Sequence, residues 1–224
     1  LGVRTKHLIY YFQLLKKQIV EMNNLRIFCI VASILLSLQS NAQVVISEIM
    51  ASNKNSIKDE LGLSSDWIEL YNNSNTTIDL LNWTLSDDAG LPSKWRFPSV
   101  SIAPGAYLLV FASGNDIKTA APYLHTNFKL SATGEFLALY NNNGVLVSGI
   151  IPAFPPQYED VSYGLVNGNY NYINLPTPLA INSTNLYILP PTFSIKHGLF
   201  SAPFQLTLSS PIIGATIKYT TDGS

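Results

Sequence analysis

The sequence predicts an all-β chain organised around a β-sandwich. Three observations carry that expectation. Short apolar, β-branched runs recur along the chain; Gly, Asn and Pro separate them; and no segment after residue 43 sustains a helical period. Residues 43 to about 165 are enough for one such domain.

The elements follow in order. VVISEIMA (44–51) reads as a strand, and SNKNSIKDELGLSS as a polar loop with a helical turn near Ile57 to Leu61. DWIELYN alternates, with Trp67, Glu69 and Tyr71 on one face and Ile68 and Leu70 on the other. NSNTT is a loop whose asparagines make a corner. TIDLLNWTLSD is then a strand pair or a bulged strand, and Ile68, Leu70, Leu80 and Trp83 are the expected core anchors. KWRFPS leads to SIAPG, where Pro104-Gly105 turns the chain into the buried-strand pattern AYLLVFAS. FKLSATGEFLALYNNNGVLVSGI reads as a hairpin, with Asn143-Gly144 supplying a type I′ turn. Residues 166–190, rich in proline, read as a linker, and 191–224 as the start of a second β module that ends on the turn signal Asp222-Gly223.

The N-terminal residues have a different character. After Met22 comes one positive charge, Arg26, an apolar stretch from Ile27 to Leu38, and small residues at Ser40 and Ala42. That pattern is a signal peptide with cleavage after Ala42; an uncleaved anchor is the alternative, and residues 1–21 are an upstream segment. The expected localisation is therefore secreted or cell surface. Removing residues 1–42 takes away five basic residues (Arg4, Lys6, Lys16, Lys17, Arg26) and Glu21, leaving 8 basic of 13 against 13 acidic of 14. An acidic balance without a basic cluster argues against nucleic acid as partner. Cys29, the one cysteine, lies in the signal segment, so the mature chain would have neither disulfide nor thiol chemistry. Sequons stand at Asn72, Asn75, Asn82 and Asn182.

Candidate chemistry is sparse. Glu69 could serve as one of the two carboxylates that glycoside hydrolysis requires, but one strand supplies one side of a cleft. The structural reading places it on a solvent-facing row or at a sheet edge, where a charge discourages edge pairing. Asp59, Glu60, Asp66, Asp87 and Asp88 are oxygen-rich loop residues and the candidate Ca²⁺ ligands. Their spacing departs from the D-x-[DN]-x-[DN]-G loop, which favours solvated charges, and Asp66 suits a turn equally well. No cofactor is expected, with Ca²⁺ the one candidate. His125 lacks a G-x-S-x-G serine and an H-E-x-x-H partner, so it reads as a histidine closing a loop onto the sandwich; His197 reads the same way. Trp67, Trp83 and Trp95 could stack sugars if exposed, but Trp83 and Trp95 sit in apolar contexts. Tyr158, Tyr163, Tyr170 and Tyr172 cluster after the sandwich.

DWIELYNNSNTTIDLLNWTLSD, KWRFPSVSIAPGAYLLVFAS, LHTNFKLSATGEFLALYNNNG and DVSYG together resemble the lamin tail domain in its secreted bacterial form, over about residues 44–165. The resemblance implies an immunoglobulin-like sandwich that interacts and scaffolds rather than catalyses. Leu165 stands where that family commonly has arginine after DVSYG. FSIKHGLFSAPFQLTLSSPIIGATIKYTTDGS resembles the beginning of a chitobiase/β-hexosaminidase C-terminal module. These resemblances lead to a non-catalytic module binding a protein or an extracellular polysaccharide, without a stable membrane span once the signal is removed. The alternative is the accessory front of a larger secreted enzyme, for example one with a kinase-like domain related to spore coat protein H. A calcium-dependent adhesion module is a third expectation.

Overall fold

A computed structural model describes residues 43–119, 122–211 and 215–221. The signal segment, Cys29 and the Asp222-Gly223 turn lie outside the described residues. Among the described residues every regular element is a strand, and no helix is long and apolar enough to cross a membrane.

The first strand, β1 (Val44–Met50), pairs antiparallel with β2 (Trp67–Asn72). A bulge between Ile46 and Glu48 resets the alternation. Ile46 and Ile49 both point into the main core, while Glu48 and Met50 point to the other face. On β2, Ile68 and Leu70 enter the main core, and Trp67 joins Met50 in a second cluster on the opposite face. The asparagine corner follows: the Asn72 amide donates to the Thr76 and Ile102 carbonyls, and its Oδ1 accepts from the Ser74 N–H and hydroxyl. Because Asn72 is fully buried by this work, its sequon is sealed in the fold.

TIDLLNWTLSD splits between two sheets. Strand β3 (Ile78–Asp79) pairs with β6 (Ser101–Ile102), whereas β4 (Thr84–Ser86) pairs with β5 (Trp95–Arg96). The turn between β3 and β4 is closed by the Trp83 N–H donating to the Leu80 carbonyl, and it buries both side chains. Strand β7 (Tyr107–Phe111) pairs with β2, and β8 (Leu124–His125) runs parallel to β7.

The hairpin β9 (Leu137–Tyr140) and β10 (Leu146–Ile150) forms as expected, but its turn differs. Only Gly144 has positive φ, the Asn141 N–H donates to Val145 and the Gly144 N–H to Asn141. The loop is therefore longer than a two-residue type I′ turn, with the asparagine side chain of Asn141 accepting from Asn143 and Val145 inside it. Gly134, ahead of β9, is required: a Cβ there would fall 2.3 Å from the Phe154 carbonyl oxygen.

Strand β11 (Ser162–Val166) returns to pair with β1, and β12 (Asn169–Ile173) pairs with β11. The result is a six-stranded sheet, β12-β11-β1-β2-β7-β8, facing a four-stranded sheet, β10-β9-β4-β5. This is an immunoglobulin-like β-sandwich. Trp83, Trp95, Phe97, Leu85, Leu137 and Leu139 fill the space between the layers.

Two expectations are corrected here. The chain does not pass into a linker at 166: the Asn167-Gly168 turn, with both residues at positive φ, folds β12 back onto β11. Residues 174–188 then form a strap: Thr177 and Leu179 donate to Glu48 and Glu69 on the outer face of the six-stranded sheet, Asn182 donates to the Ser47 carbonyl, and Asn185–Tyr187 return beside the end of β12. Glu69 also lies on neither a solvent row nor an edge. It is fully buried on a central strand, because the strap covers the face that would otherwise be wet. Farther on, β13 (Thr192–Phe193) and β14 (Leu208–Ser209) form a small hairpin.

Candidate functional site

Three polar or aromatic constellations stand out. The first lies on the outer face of the six-stranded sheet. Glu48 and Glu69 are register partners across β1 and β2, both 0 % exposed. The Ser162 hydroxyl and the Thr177 N–H and hydroxyl donate to Glu48. The Leu179 N–H donates to Oε2 of Glu69, while Oε1 has no partner among the described residues. Burial is the main force raising both carboxyls, offset by those donors; Glu69 reaches about 8, with the neighbouring Glu48 adding to the rise. Asn182 completes the strap by donating to the Ser47 and Leu165 carbonyls. Gly164 makes room, since a Cβ would lie 2.8 Å from the Asn182 amide nitrogen. Glu69 thus holds a strap rather than facing a substrate.

The second constellation involves His125, which is 0 % exposed on β8. Its Nδ1 is 2.8 Å from the Ser113 hydroxyl, and its Nε2 is 3.0 Å from both oxygens of Glu60. The Asn115 N–H donates to the Ser113 oxygen, so the hydroxyl hydrogen is free to donate to Nδ1, and Nε2–H donates to Glu60. Sequence reading expected a histidine closing a loop, and the loop is the one carrying Glu60. It missed the positioned serine, because Ser113 and His125 meet through the parallel pairing of β7 and β8 and not through a local motif. Ser113 lines a cleft of about 390 Å³ with Asp66, Asn115 and Lys129. Burial pushes the Asp66 carboxyl up to about 6, against the pull of the Asn53 N–H and the Lys129 charge.

The candidate calcium ligands occupy separate roles. Asp59 accepts from the Leu61 and Leu63 N–H groups and the Ser65 hydroxyl; Glu60 meets His125; Asp66 accepts from the Asn53 N–H. Asp87 pairs with Lys94 at 2.6 Å, and Asp88 accepts from the Gly90 N–H. Among the described residues no three His, Cys, Asp or Glu side chains converge as a metal ion would require.

The third constellation is aromatic and open. The six-stranded sheet extends beyond its partner: β10 packs over β1, leaving the β11–β12 hairpin overhanging. Tyr163 and Tyr172 are register partners on that overhang, with ring centroids 5.1 Å apart, and Tyr170 stacks on Tyr163 at 5.6 Å and 15°. Tyr158 packs against Tyr172 and against Tyr187, which the strap delivers from the other side. Two hydroxyls are spent on the scaffold: Tyr170 donates to the Ile46 carbonyl and Tyr172 to the Pro156 carbonyl. Burial drives both these phenols up to about 12. The groove holds about 350 Å³ and is lined by tyrosines with Pro155, Asn171, Leu186 and Ile188. The three tryptophans, by contrast, are all buried. The sequence flagged four of these tyrosines; Tyr187 escaped notice because only the strap brings it to the group.

A family model, the Lamin Tail Domain, matches residues 37–151. The Glu48–Glu69 pair, Ser113 and His125 fall within that match, whereas the tyrosine groove is built from residues after it. No curated protein matches the chain significantly.

Proposed function

We propose, from the premise that this chain belongs to the lamin tail domain family, that it is a non-catalytic interaction module acting in secreted form or at the cell surface. The tyrosine groove on the β11–β12 overhang carries this reading. It is the place where aromatic side chains are gathered on a rigid sheet and left open, the usual make-up of a recognition surface. The buried carboxylates and His125 hold the strap and the 52–66 loop, which supports a structural use for groups that could otherwise titrate in catalysis. Secretion rests on the signal-like segment before Gln43, and the resemblance of 191–224 to a chitobiase/β-hexosaminidase C-terminal module suits a protein of several surface modules. Its partner is a protein or a surface polysaccharide.

The test is retention of cell-envelope material from the source organism on the immobilised full chain. Retention that falls with Tyr158→Ala and Tyr187→Ala, at unchanged melting temperature, supports the reading. Undiminished retention by both variants, or turnover of an offered substrate by the purified chain, refutes it.

A further inference from the structure

The open tyrosine groove has features that narrow its ligand. The residues lining it include no Lys, Arg, His, Asp or Glu. The nearest carboxylate along the chain, Glu159, pairs with Lys54 outside the lining, so the groove itself offers no charge of either sign. An anionic or cationic ligand would lose its hydration there without gaining a counter-charge.

The end of the backbone edge nearest the groove is covered as well. Beyond β12 the Tyr187 N–H donates to the Tyr172 carbonyl, the Asn174 N–H donates to Asn185, and Ile173 bridges to Leu186. A peptide joining β12 by strand addition would therefore find only the short Asn169–Asn171 stretch of that edge. What remains available is ring surface. Tyr163 and Tyr170 lie almost parallel on one face of the hairpin, Tyr172 and Tyr187 line the groove beside them, and Tyr158 packs against both of those rings from outside the lining. Among the described residues the Tyr163 and Tyr187 hydroxyls, which line the groove, make no hydrogen bond and can serve the rim of a ligand.

We infer that this groove binds an uncharged polysaccharide, stacking the C–H face of a pyranose on one of its tyrosine rings and meeting its hydroxyls with Tyr163 and Tyr187. The inference rests on the interaction reading above and adds the ligand class. An aromatic face with hydroxyls at its margin suits a sugar ring, which is apolar on its faces and polar around its edge. The groove is assembled in part by the strap, so its walls are positioned before ligand arrives and little ordering is required on binding.

The test is native electrophoresis of the full chain through gels containing soluble neutral polysaccharides (a β-glucan, a galactomannan, a xylan), with alginate as the anionic control. A soluble proline-rich peptide is titrated in parallel, with tyrosine absorbance as readout. The expected result is retardation by at least one neutral polysaccharide and none by alginate. Tyr187→Ala should weaken it roughly five- to tenfold, in line with the loss of one aromatic contact, and Tyr158→Ala, which removes the ring packed against Tyr172 and Tyr187, should weaken it about twofold. Tyr163→Phe, which keeps the ring and removes the hydroxyl, should weaken it less and serves as the variant least disturbing to the fold. Tyrosine-dependent binding of the proline-rich peptide with no polysaccharide response would overturn the ligand class and leave the interaction reading standing. Retardation by alginate alone, or by neutral polysaccharide equally in all variants, would overturn the inference. No response to any probe, with envelope retention also independent of the tyrosines, would overturn both.

Discussion

Glu48 and Glu69 face one another across β1 and β2, both sealed from solvent, and each is tied to the same crossing segment: Glu48 to Thr177 and Glu69 to Leu179. Neither makes an ion pair among the described residues. Two adjacent carboxyls without a counter-charge are stable in such a place when protons are available, and their acidities move accordingly.

The consequence is a stability that depends on pH. The Glu69 carboxyl titrates at about 8 in the folded chain against an ordinary 4.5, because burial outweighs its donors. The folded state therefore binds the proton more tightly than the unfolded one. This contribution is complete below pH 4.5 and is lost as pH rises toward and through 8, by up to roughly 5 kcal/mol. Glu48, also raised, changes stability in the same direction. Thermal melts from pH 5 to 9 should show a falling melting temperature, and Glu69→Gln, which keeps an acceptor for the Leu179 N–H, should flatten the fall and melt higher at pH 8. Parallel curves for the two proteins would contradict the assignment.

The strap has its own test. Asn182→Ala removes two donors from the Ser47 and Leu165 carbonyls and should cost about 1–3 kcal/mol. Gly164→Ala should also loosen the strap, because its Cβ would press on the Asn182 amide and on the Ser47 carbonyl oxygen 2.9 Å away. Hydrogen exchange should accelerate over residues 174–188 in both variants while the β2 and β7 amides stay protected.

His125 clamps the loop bearing Glu60 to the sheet through Ser113. His125→Ala opens a cavity and orphans both partners, so a loss of about 2–4 kcal/mol is expected, with faster exchange in residues 52–66. Ser113→Ala should cost about 1 kcal/mol. A fluorophosphonate probe should leave Ser113 unlabelled; labelling that depends on His125 would turn the clamp into a nucleophilic site.

Calcium is expected to leave the melting temperature unchanged. Asp59, Asp66 and Asp88 already accept backbone N–H groups, Asp87 pairs with Lys94, and Glu60 faces His125. A rise with millimolar Ca²⁺ that Asp59→Asn abolishes would restore the calcium reading.

Much of the sandwich was legible in the sequence because its strands obey local rules. The alternation of DWIELYN put Ile68 and Leu70 in the core, and the apolar settings of Trp83 and Trp95 put them there too. The asparagine corner was legible for the same reason, since Asn72 turns the chain through Ser74 and Thr76 close by, although its bond to the Ile102 carbonyl is not local. What stayed hidden depends on segments far apart. Glu69 is more than a hundred residues from Leu179, so no window of sequence says that a strap will bury it. Ser113 meets His125 only because β8 lies parallel to β7, a connection that hydrophobic alternation does not encode. Proline density made 166–190 look like a linker, while the Asn167-Gly168 turn, a local hairpin signal, was overlooked there.

The most direct test of the central claim is amide chemical-shift mapping of the isotope-labelled full chain during titration with a soluble neutral oligosaccharide that retards it in gels. The account predicts shifts concentrated in residues 155–172 and 186–189, around the tyrosine groove, and absent from Tyr187→Ala at the same concentrations. Shifts centred instead on the cleft of Asp66, Ser113 and Lys129, or shifts that persist in that variant, would contradict it.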